Sequence, residues 1–246
     1  AEARANGSYP INALRNTAIQ AVRTTHFLVL DVDLWPSSTL NEAFRSAPPD
    51  MLRRKYTALV VPAFQLDLAP PGDTEDSAAV RFYHSSFRRV PTTAEELDHC
   101  VAQAQCSTFY SHTSAETHLT TPYDKWWKAA PASEPIPITC FKHARYEPYV
   151  IVPHLSTTPT YSEAFTGYGK NKIELITHLR FAGFQFYALP AAFVVHMPHV
   201  KSVQKIAWEA GHHRQQMDRL YQHLVAQLVS RFKRPRTPSC HIGRLL

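Results

Sequence analysis

The chain has 246 residues, 44% of them hydrophobic and 19% charged, which is the balance of a globular protein with a full core and excludes a disordered chain. A formal net charge of +6 suits an anionic substrate, but the basic residues are too dispersed to argue for nucleic acid, and no apolar stretch approaches the length of a membrane span. The length suits one large domain, and 19 prolines against 7 glycines point to many rigid loop segments.

From the N-terminus, Pro10 to about Thr24 reads as a helix: proline suits a first turn, and Ile11, Leu14, Ala18 and Val22 share one face. His26 to Asp31 follows as a strand, apolar through Phe27-Leu28-Val29-Leu30. A strand apolar on both faces belongs inside a sheet. Pro36-Ser37-Ser38 opens a short helix carrying Leu40, Ala43 and Phe44, and Tyr56 to Val61 is a second buried strand ended by Pro62. Leu68 to Asp76 is a loop around Pro70-Pro71-Gly72, and Thr93-Ala94-Glu95-Glu96 is a capping box for a helix through Leu97, Val101 and Ala104. Residues 107–135 read as a long loop; a loop of that length inside a domain is usually functional or disordered. Ile138-Thr139-Cys140-Phe141 and Tyr149-Val150-Ile151-Val152 have strand character, and Asn171 to Ala182 is a helix stopped by Gly183. Phe184 to Leu189 and Ala192 to His196 are short strands. From Val200 the chain turns helical, with Met217, Leu220, Tyr221, Leu224, Leu228 and Phe232 in an apolar stripe.

Asp31-Val32-Asp33, at the end of the first strand, carries the strongest chemical signal. In an extended chain residues i and i+2 point to one side, so both carboxylates meet one spot at the strand's C-terminal end, where open α/β sheets bind ligands. Such hard oxygen ligands suit Mg²⁺ or Mn²⁺ bridging a phosphorylated substrate; the plainer reading is a pair of turn aspartates ahead of Pro36. His196, ending Phe193-Val194-Val195-His196, supplies a third ligand whose nitrogen favours Mn²⁺, with His199 the alternate. The plainer reading there is a histidine satisfied by backbone groups. Gly167-Tyr168-Gly169 permits a tight loop close to a ligand and leads through Lys170-Asn171-Lys172 into a helix N-terminus, which favours anions. Glu163, just before that loop, is a general-base candidate, set against a plain solvated turn residue. Tyr123-Asp124-Lys125-Trp126-Trp127 places two indoles and a carboxylate in the long loop, suited to a sugar ring, although core packing accounts for at least one tryptophan. Arg231 to Arg236 is a short basic cluster that reads as a solvated helix end.

Cys100, Cys106, Cys140 and Cys240 show no zinc spacing; a disulfide among the first three is open in an oxidising compartment, with its connectivity unreadable. Asn6-Gly7-Ser8 is a glycosylation acceptor triplet. The first helix leads straight into the Asp-Val-Asp strand, whereas a doubly wound sheet sets a strand and a crossover before it. N-terminal strands are therefore expected to be missing from this chain.

These residues together resemble the LARGE-type glycosyltransferases, the group that includes the β-1,4-glucuronyltransferase acting on dystroglycan glycans. The similarity runs in order through Tyr9-Pro-Ile-Asn-Ala-Leu-Arg-Asn16, Phe27-Leu-Val-Leu-Asp-Val-Asp-Leu34, Ala58-Leu-Val-Val-Pro-Ala-Phe64, Tyr146-Glu-Pro-Tyr-Val-Ile-Val152, Phe165-Thr-Gly-Tyr-Gly-Lys-Asn-Lys172 and Phe193-Val-Val-His-Met-Pro-His199. The resemblance implies a GT-A fold, that is, an α/β architecture with a Rossmann-like mixed sheet flanked by helices. It implies one catalytic domain over residues 1–232 and a basic tail over 233–246. It implies a DxD site in which Asp31, Asp33 and His196 hold Mn²⁺, or Mg²⁺ in its place, on the diphosphate of a UDP-sugar, with Asn12, Arg15, Asp31 and Lys172 around the donor. The sugar, glucuronate among the family's donors, passes with inversion to a glycan or glycoprotein acceptor. The implied setting is the Golgi lumen, as a type II membrane protein anchored only through a missing N-terminal segment, with no nucleic-acid partner. Ser162 stands where the family pattern has an acidic residue, which leaves Glu163, and after it Asp124, as candidate bases. Two readings compete. A haloacid-dehalogenase-type phosphatase also begins with an apolar strand and Asp-x-Asp, but carries Thr or Val where this chain has Trp35. The other is a catalytically inactive carbohydrate- or nucleotide-binding relic of the transferase fold.

Overall fold

The computed structural model describes residues 9–69, 76–199, 203–209 and 211–240. The glycosylation triplet at Asn6 and the Pro70-Pro71-Gly72 turn lie outside the described residues. In chain order the elements are α1 (Ile11–Gln20), β1 (His26–Leu28), β2 (Leu34–Pro36), α2 (Leu40–Arg45), α3 (Pro49–Leu52), β3 (Thr57–Val61), β4 (Ala63–Leu66), α4 (Asp76–Phe87), α5 (Ala94–Ala102) and β5 (Cys106–Thr108). A 3-10 turn at Ala115–Thr117 is followed by α6 (Tyr123–Lys128), β6 (Ile136–Ile138), β7 (Tyr149–Pro153), α7 (Asn171–Phe181), β8 (Gln185–Ala188), β9 (Val194–His196), α8 (Val203–Glu209) and α9 (His212–Phe232).

The strands form two mixed sheets, one in the order β1-β7-β3-β8-β6 and one in the order β2-β9-β4-β5. Both β1 and β3 run antiparallel to β7, and β8 runs parallel to β3, so β1, β3 and β8 point the same way. Each then crosses into the second sheet, as β2, β4 and β9 respectively. The crossings are the Asp31–Asp33 turn, Pro62 and the Leu189–Phe193 segment. They form a seam at the C-terminal ends of three parallel strands, the position at which α/β sheets bind ligands. Strand β3 is buried at all five residues because it has neighbours on both sides and packing on both faces.

Two expectations are corrected. The first strand, expected to run to Asp31, ends at Leu28 as β1; it is paired with β7 alone among the described residues, so its other edge is open, as expected for a strand whose neighbour lies upstream of this chain. Its double-faced apolarity reflects packing on both faces. Phe27 and Val29 pack into one hydrophobic cluster with Val152 and Ile176, while Leu28 and Leu30 lean on a second with Leu34 and Ile151. The strand is sandwiched between two cores. The long loop at 107–135 likewise contains β5, the 3-10 turn and α6. Trp126 is the reason for α6: it is buried, donates Nε1–H to the Leu189 carbonyl at 3.0 Å, and packs against Phe64 and Phe193.

Local signals elsewhere act as expected. Thr93 and Glu96 form a reciprocal capping box at the start of α5, and Gly183 has φ +106° just past α7. Met217 and Leu228, from the α9 stripe, are buried, and the Tyr221 hydroxyl lies 2.8 Å from Thr177 Oγ1 on α7. Among the described residues no helix is long and apolar enough to cross a membrane.

All four cysteines are paired, Cys100 with Cys106 and Cys140 with Cys240. The second bridge holds the segment after α9 against the first sheet. Phe141 N–H donates to the Pro238 carbonyl at 2.8 Å, Arg180 Nε donates to the Thr237 carbonyl at 3.0 Å, and Thr237 Oγ1 donates to the Phe184 carbonyl at 3.1 Å. The chain after α9 is therefore tied down through Thr237 to Cys240, while Arg231, Lys233, Arg234 and Arg236 stay exposed. The bridges close loops of very different size, with sequence separations of 6 and 100. Loop-closure entropy gives about 2 kcal/mol for the short one and about 4.7 kcal/mol for the long one. The double variant Cys140→Ser/Cys240→Ser should lower the urea midpoint by clearly more than Cys100→Ser/Cys106→Ser; the reverse order in equilibrium unfolding would refute the loop-closure account.

Candidate functional site

Asp31-Val32-Asp33 is a turn rather than the end of a strand: Leu34 N–H donates to the Asp31 carbonyl at 3.1 Å, and Val32 at the tip is 99% exposed. The turn gives the two carboxylates separate surroundings. Asp31 Oδ1 accepts from Arg15 Nη2 at 2.7 Å, and its Oδ2 accepts from Lys172 Nζ and from the Tyr149 hydroxyl, each at 2.9 Å. Lys172 Nζ also donates to Tyr149 Oη at 2.7 Å. Burial by itself would raise the Asp31 pKa, but the Lys172 and Arg15 charges outweigh it and hold the carboxyl down at about 2. Burial would lower the Lys172 pKa; Asp31, Tyr149 and Glu147 more than reverse it, so the ammonium is firmly charged.

Asp33 turns to the second sheet. Leu34 pairs with His196 in the β2–β9 register, and Met197 N–H donates to the Asp33 carbonyl at 2.8 Å. These backbone ties bring two imidazoles to one carboxylate oxygen: His199 Nε2 is 2.8 Å and His196 Nε2 3.2 Å from Asp33 Oδ2. One ligand atom from each of Asp33, His196 and His199 lies within 4.8 Å of the others, a grouping able to hold a metal ion. Asp33 Oδ1 is buried without a hydrogen-bond partner, an acceptor with nothing to accept from. One carboxylate oxygen with two imidazole nitrogens is a borderline donor set that suits Mn²⁺ better than Mg²⁺. The His196 ring is further fixed by Phe109, with centroids 4.8 Å apart. The structure thus brings together Asp33, His196 and the alternate His199, while Asp31 belongs to the neighbouring ion cluster.

Of the remaining candidates, Arg15 and Lys172 meet at Asp31. Asn12 is fully buried; its Nδ2 donates to the Ser162 carbonyl at 2.9 Å and reaches Glu174 Oε1 at 3.4 Å, and its Oδ1 accepts from Arg15 Nη1 at 3.3 Å. It clips α1 to the loop before the glycines. Glu163 is exposed, with Oε1 accepting from Asn16 Nδ2 at 2.9 Å. Asp124 is exposed in the first turn of α6. That helix packs on Phe64, whose side of the second sheet is the one opposite His196, since Phe64 pairs with Val195 and Gln65 with His196. The loop of Trp126 and Trp127 is therefore anchored away from the Asp33 cluster.

The sequence reading missed Asn16, Tyr149, Glu174 and His118. Asn16 both donates to the Tyr161 carbonyl and accepts from Tyr161 N–H, holding the loop that leads to Gly167. His118 is fully buried beside Phe109 and Tyr149, and burial with the nearby Lys172 charge pushes its pKa down to about 3. Asn16 and Tyr149 lie within the quoted similar stretches and were legible to that extent; Glu174 and His118 left no signal.

Against this geometry, comparison with known proteins is decisive for the family. Residues 1–233 match the family described as "Glycosyl-transferase for dystroglycan". The chain belongs to this family. It is 32% identical over 197 residues to xylosyl- and glucuronyltransferase LARGE2 of Mus musculus, covering 79% of this chain and 25% of that protein. It is 33% identical over 196 residues to LARGE2s of Danio rerio, with 79% and 23% covered, and 31% identical over 195 residues to LARGE1 of Homo sapiens, again with 79% and 23% covered. The chain spans about a quarter of the length of these curated relatives. The match sets aside the phosphatase reading, and Asp31 fits that reading poorly, since both its oxygens are already engaged.

Glu174 supplies a test of the polar framework. Burial raises its pKa to about 8, against a bond from Ser162 N–H and the Arg15 charge that pull the other way. The unfolded side chain titrates near about 4.3. Between these values the unfolded chain has lost a proton that the folded chain keeps, so this group makes stability fall as pH rises from roughly 4.3 to 8 and level off above. Glu174→Gln keeps the accepting oxygen and removes the titration. Its urea midpoint should equal or exceed the parent's at pH 8, with a flatter pH dependence from 5 to 8. An unchanged slope would mean that Glu174 is ionised in the fold.

Proposed function

We propose that this chain is the catalytic unit of a GT-A-type inverting glycosyltransferase that passes glucuronate from UDP-glucuronate to a glycan or glycoprotein. The observation that carries the reading is the Asp33, His196 and His199 cluster, with its orphaned Asp33 oxygen, lying one turn from the Arg15–Asp31–Lys172 cluster at the ends of parallel strands. Asp33, His196 and His199 would hold Mn²⁺. When bound, that ion supplies positive charge against the charge developing on the leaving diphosphate. Asp31 serves in this reading as the anchor of two cations rather than as a metal ligand. Arg15 and Lys172 bring two cations to the seam, and these favour an anionic donor bearing both a diphosphate and a uronate carboxylate.

Glu163 is the proposed base. It is an exposed carboxylate with one oxygen held by Asn16, on the loop that precedes Gly167. It takes the proton of the acceptor hydroxyl as that oxygen bonds to the anomeric carbon; the bond to the diphosphate breaks on the opposite face, inverting the centre. A Golgi-lumen setting within a type II membrane protein belongs to the same reading, supported by two disulfides, which persist in oxidising compartments.

Two measurements test this. Calorimetric titration with Mn²⁺ should give binding that Asp33→Asn and His196→Ala each weaken by about tenfold or more, while circular dichroism stays that of the parent; equal affinity in both variants removes the metal assignment. In UDP-glucuronate turnover with an acceptor glycan, Glu163→Gln should lower kcat by about 10² or more and leave donor affinity within a factor of about two. Parent-like turnover would refute Glu163 as the base, and Asp124, whose helix packs on the side of the second sheet opposite His196, would not replace it.

A further inference from the structure

On the other side of the second sheet lies a groove of about 530 Å³, lined among others by Trp35, Phe87, Arg88, Arg89, Gln103 and Gln105. Its size is that of a small-ligand site. Trp35 pairs with Val195 in the β2–β9 register and packs with Phe64 and Phe193, so it faces away from His196 although it follows Asp33 by two residues. The groove is thus separate from the Asp33 cluster.

Its chemistry is one-sided. Phe87, 49% exposed, meets Trp35 edge to face with ring centroids 4.6 Å apart, giving an apolar platform. Trp35 Nε1 is shielded from solvent, so the indole offers the groove its apolar ring and not its N–H. Arg88 and Arg89 have no carboxylate within ion-pair distance among the described residues, and Arg89 Nη2 reaches Gln105 Oε1 at 3.3 Å. The carboxylate in the lining is that of Glu96, whose Oε2 accepts from Thr92 N–H, the Thr92 hydroxyl and Thr93 N–H in the α5 cap, so one anion stands against two guanidinium groups. Positive charge is therefore in excess. The walls are fixed before any ligand arrives: the capping box sets the start of α5, and Cys100–Cys106 ties its end to β5.

We propose that this groove is a second, non-catalytic carbohydrate site that binds a carboxylate-bearing sugar, with the pyranose face on the Trp35–Phe87 pair and the carboxylate on Arg88 and Arg89. Aromatic faces match the C–H face of a sugar ring, and guanidinium groups match a carboxylate in bidentate fashion. A flexible acidic peptide offers the charge but no ring for the platform, which is why the sugar is the chosen occupant.

The test is binding without nucleotide or metal, so its failure leaves the transfer reading untouched. The chain is titrated calorimetrically with an unsulfated oligosaccharide containing glucuronate, with the same oligosaccharide after carboxyl reduction, and with oligoglutamate. The uronate form should bind, the reduced form should bind at least about tenfold more weakly, and Arg88→Ala and Arg89→Ala should each weaken the uronate form by about tenfold. Trp35→Phe, which shrinks the ring face, should weaken it several-fold. The two arginines are exposed, so their variants remain informative if Trp35→Phe fails to fold. Parent-like affinity in both arginine variants, equal binding of the reduced sugar, or tighter binding of oligoglutamate would each overturn the proposal.

Discussion

The Asp31 carboxylate is the point on which the seam depends. Arg15 arrives from α1, Lys172 from α7 and Tyr149 from β7, and all three converge on its two oxygens. Each element is remote from the others in sequence, and no backbone hydrogen bond of a sheet unites them. A carboxylate surrounded by two cations in a mostly buried setting is stable only as a set: remove it and two positive charges are left facing each other in low dielectric. The arrangement holds helix, turn and strand in one register and keeps two cations at the seam. They stand beside the Asp33 group, whose own carboxylate is committed to His196 and His199. Two adjacent aspartates thus do different work because the turn between them sends one to each sheet.

Around this point the polar residues of α1 act as a frame. Asn12 and Asn16, one helical turn apart, fasten the Tyr161–Glu163 segment through backbone groups on that segment. Glu174, from α7, receives Ser162 N–H at 2.8 Å and approaches Asn12. Its Oε2 is buried without a partner, and an ionised carboxylate in that position would be costly. A protonated Glu174 removes most of that cost, in keeping with its raised pKa. A buried polar lattice of this kind specifies one loop conformation; an apolar contact of equal area would allow several.

What was legible in the sequence follows from how local each cause is. Helix α5 was readable from Thr93 and Glu96 because a capping box is complete within four residues. The pairing of Asp33 with His196 was readable in outline because both stand at strand ends, although the register Leu34–His196 that brings them together is a tertiary fact. The partner set of Asp31 was not readable. Lys172 is separated from it by 141 residues, and a lysine two residues into a helix looks like any anion-favouring N-terminus. Strand β1 was readable in part: its apolar residues record packing on both faces, while its end at Leu28, which leaves Asp31–Asp33 in a turn, depends on tertiary contacts. The tryptophan pair misled because aromatic residues among Pro, Ser and Thr look like a loop, whereas burial of Trp126 against Phe64 overrides weak local propensity and makes a helix.

The C-terminal helices show why the glycine loop needs its glycines. Gly169 has φ +96°, and a Cβ built there would stand 2.4 Å from Trp208 Nε1 on α8. The indole therefore lies directly on backbone, in space that any other residue would fill. Tyr168 meets the same indole edge to face at 5.5 Å, His213 Nε2 lies 2.9 Å from the Thr166 carbonyl, and Lys170 pairs with Asp218 at 3.1 Å on α9. Four of the five residues from Thr166 to Lys170 are thus held from the helical side, while Asn12 and Asn16 hold the loop's entry from α1. Lys172 follows two residues after Lys170, so the position of its ammonium on Asp31 is set from both ends: by the ion cluster it reaches and by the helices that seat the loop behind it. Gly169 is explained by this close approach of an indole to the chain, and Gly167 by its positive φ of 64°; neither requires contact with a ligand.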